Sequence, residues 1–248
     1  MPKEKTEMEN AFFVWSGGKD SALALQRVLD QKQYKVKYLL TTVNETFQRV
    51  SMHGVRVSLL EEQAQAIGIP LVKIFIPEQA TMEDYNQRME TALLKMKGEN
   101  INNAIFGDIF LEDLRHYREK QVAAIGLNAV FPLWQESTTK LIQEFITLGF
   151  KAKLVCVSDS RLGKDFIGRE IDDQFLIDLP ATVDACGENG EYHSFVYEAP
   201  FFKEPVSIKT GEIIFRDYAA EGNDNPTNYD SKFWFLDLLS LSEKEITT

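Results

Sequence analysis

The apolar residues of the first half of the chain fall into two alternating patterns. Short apolar runs at 11–15 (AFFVW), 34–43 (YKVKYLLTTV), 71–76 (LVKIFI), 103–106 and 129–131 have the composition of strands buried on both faces. Between them the apolar positions recur at helical spacing: Ala22, Leu23, Leu25, Val28 and Leu29 after the first run, then residues 57–67, 81–97 and 111–125. Gly68 with Pro70 closes the second of these helices and Gly126 the fourth, while Thr81 opens the third with Glu83 and Asp84 in its first turn. Five strands alternating with four helices through short connections predict an α/β fold, a Rossmann-like, doubly wound parallel sheet of five strands.

After Trp134 the pattern changes. A helix over about 136–148, a strand over 151–158 and a glycine-punctuated loop holding Gly163, Gly168 and Arg169 lead to a helix over 171–179 that Pro180 ends. A strand at 194–198, a hairpin over 206–215 turning at Thr210-Gly211, a polar loop at 222–226 and a last strand at 233–241 complete the pattern. The expected organisation is a polar tail over 1–10, one domain over 11–134 and a smaller α+β domain over 135–248.

Within this layout the junction of the first strand and helix carries the most chemistry. Ser16-Gly17-Gly18-Lys19-Asp20-Ser21 separates them: two residues without Cβ let the backbone approach an anion, and the helix start presents N–H groups and the positive end of its dipole. Ser16 and Ser21 add hydroxyls and Lys19 a full charge, which together make a pyrophosphate cradle. A Walker A loop would require Gly in place of Phe13 and Ser or Thr in place of Asp20, and G-x-G-x-x-G fails because Gly17 and Gly18 are adjacent. The order S-G-G-x-D-S resembles the PP-loop of ATP pyrophosphatases, which cleave ATP between its α- and β-phosphates. Other strand-end polar residues lie where a parallel sheet meets its ligand: Thr41, Thr42 and Asn44 after the second strand, and Gly107-Asp108 after the fourth, with Asp108 a candidate for holding magnesium. His53 and Arg56 stand at the head of the second helix, placed to face a nucleotide.

Charge and composition narrow the class. A net charge of −11 over 248 residues argues against a broad basic face for nucleic acid. The N-terminus lacks the apolar core of a signal peptide and no apolar run has the length of a membrane span, so a cytoplasmic protein without membrane partners is expected. Cys156 and Cys186 lie far apart, and the three His residues have no metal-ligand spacing.

A second motif, CGENGEYHS at 186–194, packs Glu188, Asn189, Glu191, Tyr192 and His193 between two glycines and a strand; a compact loop would aim both glutamates at one point, suiting a magnesium ion, an ammonium or a general base. With SGGKDS near the start, GDI ahead of a basic helix, PLW at the exit of the sheet, and CGENGEYHSFVYEAPFF near the end, the chain resembles the diphthine–ammonia ligase family of PP-loop ATPases over about 12–202. The resemblance implies ATP and Mg2+ as cofactors, ammonia as the nitrogen donor, and a carboxylate acceptor activated as an acyl adenylate. In the family the acceptor is the diphthine side chain of elongation factor 2; an unknown small carboxylate is the other option. By position, Ser16, Gly17, Gly18, Lys19, Asp20 and Ser21 match the ATP loop, Gly107 a second nucleotide-side turn, and Gly187, Glu188, Gly190 and Glu191 the C-terminal signature. Lys19, Asp20, Glu188 and Glu191 are the catalytic candidates; Thr42, His53, Gly107 and Asp108 join the loop as nucleotide-binding candidates. Arg115, Asn189, Tyr192 and His193 are the candidates for substrate binding. Where the family reads roughly G-A-I-x-S-D-Y-Q-R-x-R-V-E, this chain has GDIFLEDLRHYRE: Arg115 and Glu119 match, Tyr117 replaces the second Arg, and Arg118 is displaced by one residue, about 100° around the helix. Two other readings remain at this level, a PP-loop enzyme adenylating an RNA base and a nucleotide-binding protein without turnover; a homodimer is compatible with all three.

Overall fold

The computed structural model describes residues 7–50, 54–218 and 231–241. Its first half is the expected α/β unit. Strands β1 (Glu9–Val14), β2 (Tyr34–Asn44), β4 (Leu71–Ile76), β5 (Asn103–Ile105) and β6 (Asn128–Val130) run parallel in the order β4-β2-β1-β5-β6. A two-residue strand, β3 (Arg49–Val50), pairs antiparallel with the end of β2, inside a stretch that reads as loop in the sequence.

Helices α1 (Lys19–Gln31) and α2 (Val57–Ile67) cover one face of this sheet, and α3 (Met82–Gly98) and α4 (Glu112–Ala123) the other. The alternation along β1 shows why. Ala11 and Phe13 join α1 and α2 in one core, whereas Phe12 points to the opposite side and packs with Met89, Leu93 and Val122. The strand order reverses between β1 and β5, so the loops leaving those two strands flank the crevice where a doubly wound sheet takes its ligand.

The second half builds an antiparallel sheet of four strands in the order β8-β7-β10-β9, from β7 (Lys151–Ser158), β8 (Tyr192–Glu198), β9 (Ile208–Asp217) and β10 (Lys232–Ser240). Helix α5 (Thr138–Thr147) packs Leu141, Ile142 and Phe145 into the same core as β1, α1 and the new sheet, so both sheets share one apolar interior. Helix α6 (Asp173–Asp178) is shorter than the expected 171–179, because the Asp172 side chain caps it by accepting the Phe175 N–H.

The expected hairpin at Thr210-Gly211 is absent, and β9 runs straight through both residues. The glycine serves close approach instead. β10 shifts register between Leu236 and Leu238, and a Cβ at Gly211 would lie 3.1 Å from the Asp237 carbonyl oxygen. The predicted polar loop at 222–226 and the first six residues lie outside the described residues. Among the described residues no helix is long and apolar enough to cross a membrane.

Candidate active site

The loop between β1 and α1 is tied down from behind. Gly17 has φ +80°, and a Cβ there would meet Gln63 Oε1 at 2.8 Å. Gln63, fully buried in α2, accepts from Trp15 Nε1 at 2.9 Å and donates to the carbonyls of Gly17 at 3.1 Å and Val196 at 2.5 Å. The Val196 N–H donates to the same Gly17 carbonyl at 2.9 Å. One buried amide thus joins the loop, α2 and the edge strand β8 of the second sheet. On the other side, Ser16 Oγ accepts the Gly18 N–H at 3.2 Å and lies 3.0 Å from Ser21 Oγ, which holds the turn in shape.

Lys19 is the first residue of α1 and is buried. Its backbone N–H donates to Ser194 Oγ at 3.1 Å, its Nζ donates to Asp20 Oδ2 at 2.8 Å, and the same Nζ sits 4.8 Å from the centre of the Tyr192 ring. Burial works against the ammonium, but Asp20, Tyr192 and Cys186 together outweigh it and hold Lys19 above the ordinary lysine range. Burial also raises the Asp20 carboxyl, with the Lys19 charge opposing it. The Tyr192 hydroxyl donates to the Ala185 carbonyl at 2.6 Å, which fixes the ring under Lys19.

Across the crevice, Gly107 follows β5. A Cβ at this position would lie 3.1 Å from both the N and the Cα of Ser21, so the turn can touch the first turn of α1 only without a side chain. Asp108 is almost fully buried and pairs with Arg118 of α4 at 2.8 Å, and the Arg118 guanidinium also lies over the Phe106 ring at 4.7 Å. Burial pushes the Asp108 carboxyl up and Arg118 counters this. The one-residue displacement of Arg118 along its helix therefore brings it onto Asp108. Expected as a magnesium ligand, Asp108 is engaged by that guanidinium. Among the described residues no three or more His, Cys, Asp or Glu side chains are grouped to hold a metal ion.

The C-terminal motif closes the fourth side. Asp184 organises it, accepting the N–H groups of Cys186 at 2.9 Å and Glu188 at 3.2 Å and the Thr138 hydroxyl at 2.7 Å. The two glutamates do not converge. Glu191 is buried, and its carboxylate accepts the backbone N–H groups of Asp184 at 3.1 Å and Asn189 at 2.9 Å and the Asn189 side-chain amide at 3.2 Å. Glu188 turns toward the loop. Burial, together with the charges of Asp20 and Asp108, pushes its carboxyl up to about 7, against the pull of Lys19 and a hydrogen bond from the Phe110 backbone.

The remaining candidates are placed less centrally. Thr42 lies near the end of β2, two residues past the Leu40 that pairs with Val14. Arg115 donates to Glu119 at 2.7 Å and lies over the Trp134 and Phe131 rings, at 4.5 and 5.0 Å. Tyr192 and Ser194 both reach Lys19, so strand alternation sets His193 on the other face of β8. Arg56 holds Asp237 of β10, with its Nη2 at 2.7 Å, beside Arg49 at 2.9 Å. His53 lies outside the described residues. Sequence reasoning missed Gln63, Asp184 and Ser194. Gln63 carried a usable signal, a polar residue within the apolar stripe of Leu59, Leu60 and Ala64.

Comparison with known proteins matches family models to both halves of the chain. Residues 9–129 match the family model described as the diphthamide synthase N-terminal domain, and residues 137–221 match that of the diphthamide synthase C-terminal domain. The diphthine–ammonia ligase of Mus musculus is 24% identical over 228 residues, covering 80% of this chain and 82% of that protein. The Homo sapiens diphthine–ammonia ligase is 30% identical over 128 residues, 49% of this chain and 47% of that protein. That of Danio rerio is 27% identical over 169 residues, 61% of this chain and 65% of that protein. The two domain models follow one another in order along the chain, one carrying the glycine loop and the other the Glu188 loop, and the chain belongs to the diphthamide synthase family.

Proposed function

We propose that the chain is an ATP-dependent ligase that adenylates a carboxylate, with AMP and pyrophosphate formed, and lets ammonia displace AMP to leave an amide. The observation that carries this reading is the geometry of the glycine loop: a buried Lys19 opens α1, with its backbone N–H on Ser194 Oγ and its ammonium on Asp20, and the Gly107 turn lies against the same helix start. The names of the relatives, diphthine–ammonia ligases, support the reaction class.

A carboxylate resists ammonia because its charge repels the nucleophile and oxide is a poor leaving group. Attack of a carboxylate oxygen on the α-phosphate of ATP breaks the bond to the β-phosphate and expels pyrophosphate. Lys19, the start of α1 and the hydroxyls of Ser16 and Ser21 stand where that leaving charge gathers, already oriented by their links to Ser194, Gly18 and each other. Gly17 and Gly18 keep the backbone bare on the ligand side. Ammonium then loses a proton to Glu188, ammonia adds to the acyl carbon, the adduct releases its second proton to water, and AMP leaves with the bonding electrons to give the neutral amide. Glu191 and Asn189 hold the loop that aims Glu188, and the Asp108–Arg118 pair shapes the wall opposite. A magnesium ion accompanying the nucleotide would neutralise phosphate charge, but the two carboxylates nearest the loop, Asp20 and Asp108, are held by Lys19 and Arg118, and the steps assigned to the chain's own residues do not depend on the ion.

The acceptor is a carboxylate, either the diphthine side chain of elongation factor 2 or a small molecule. The test supplies ATP and 15N-ammonium with elongation factor 2 carrying diphthine, and follows the mass of the modified peptide. Labelled amide that appears only with ATP supports the protein acceptor. Amide on a small carboxylate with none on the protein moves the reaction to that acceptor, and no ammonium incorporation with either overturns the ligase reading.

A further inference from the structure

Strand β9 is an outer edge of the antiparallel sheet. β10 pairs along one side of it, from Lys232↔Asp217 to Ser240↔Ile208, and among the described residues no strand pairs with the other side. Soluble proteins keep such edges short, or interrupt them with proline or inward charges, because unpaired N–H and C=O groups recruit another strand. β9 is ten residues long, has no proline, and has Ile213, Ile214 and Phe215 at its centre, 43%, 39% and 42% exposed. Alternation divides these residues between the two faces, so the edge is apolar above and below.

We propose that β9 is a homodimer interface, in which two copies pair their β9 edges antiparallel about a two-fold axis at Ile214 and fuse their sheets into one. The pattern EIIFR at 212–216 is self-complementary in this register alone. Glu212 stands opposite the partner's Arg216 and Arg216 opposite the partner's Glu212; Ile213 meets Phe215 on the other face, and Ile214 meets its own copy. Moving the axis to Ile213 sets Glu212 against Ile214 and Gly211 against Phe215, and although it also sets Lys209 against Asp217, Asp217 already lies 3.8 Å from Lys232 of its own chain. Moving it to Phe215 sets Ile214 against Arg216, and either shift loses the 212–216 ion pairs. Among the described residues neither Glu212 nor Arg216 has an ion-pair partner. The site near Lys19 lies on β8, at the other end of this sheet, and the dimer does not depend on the function proposed for it.

Sedimentation equilibrium on the full chain and on two charge-reversal variants tests the pairing. The wild type dimerises. Glu212→Arg and Arg216→Glu each place like charges in both cross-strand pairs and weaken the dimer by about 100-fold or more. An equimolar mixture of the two variants restores a dimer, because each then supplies the charge the other lacks, and that recovery shows that both are folded. A monomeric wild type, single variants that dimerise as the wild type does, or a mixture that stays monomeric would each overturn the proposal.

Discussion

The backbone N–H of Lys19 donates to Ser194 Oγ at 3.1 Å, a contact between residues 175 apart in the chain. The phosphate-type loop of the parallel sheet is therefore held in shape by a strand of the antiparallel sheet, with Gln63 and Val196 making the same connection at Gly17. Ser194→Ala leaves a buried N–H unpaired, which costs about 1–3 kcal/mol in urea unfolding. It also raises the KM for ATP more than it lowers kcat, since the loop must then be ordered by the nucleotide.

Lys19 and Asp20 form a buried pair, and removing one member exposes the cost of the other. Lys19→Met lowers AMP formation by about 10²- to 10³-fold, the usual loss of one preorganised charge-stabilising group. It destabilises the protein as well, because the Asp20 carboxylate loses its partner. Adding Asp20→Asn recovers stability and leaves activity low; thermal melts beside turnover rates separate the two effects.

Gly107→Ala places a Cβ 3.1 Å from backbone atoms of Ser21, which cannot yield as a side-chain tip would. The turn after β5 moves off α1, with a loss of about 1–3 kcal/mol in stability and weaker nucleotide binding by calorimetry. Gly98→Ala, where nothing lies within 4 Å of the added Cβ, is the control and should not weaken nucleotide binding.

Glu188 titrates near 7 against an ordinary value of 4.5, so the folded protein retains a proton that the unfolded chain releases between those values. Its contribution to stability is full below 4.5 and is lost as pH rises through 7, on the order of 3 kcal/mol in total. In its proposed role as the base Glu188 works only when ionised, so the expected outcome is amide formation that rises with pH through about 7. Glu188→Gln flattens that rise and lowers the rate while raising the melting temperature at pH 8, an opposition of activity and stability that a merely structural glutamate would not give.

The parallel sheet was legible because its signals are local. Residues 57–67 and 71–76 match α2 and β4 to the residue, bounded by Gly68 and the prolines at 70 and 77. The hairpin at Thr210-Gly211 misled because a glycine that makes room for the Asp237 carbonyl in a bulge has the same local signature as one that turns the chain. In the site, residue types pointed to Lys19 and Glu188, but spacing alone implied that Glu188 and Glu191 act together. Their separation follows from Asp184 and Asn189, whose hydrogen bonds fold the loop so that one glutamate faces inward and the other outward. Contacts such as Lys19 to Ser194 depend on how two sheets meet, and no local pattern encodes that.

In the proposed reaction the loop at 16–21 directs cleavage of ATP between its α- and β-phosphates. Phosphorus-31 NMR of the wild-type protein with ATP, magnesium, ammonium and a carboxylate acceptor distinguishes the products directly. AMP and pyrophosphate accumulating in equal amounts, and lost in Lys19→Met, is the predicted result. ADP and inorganic phosphate in their place would contradict it.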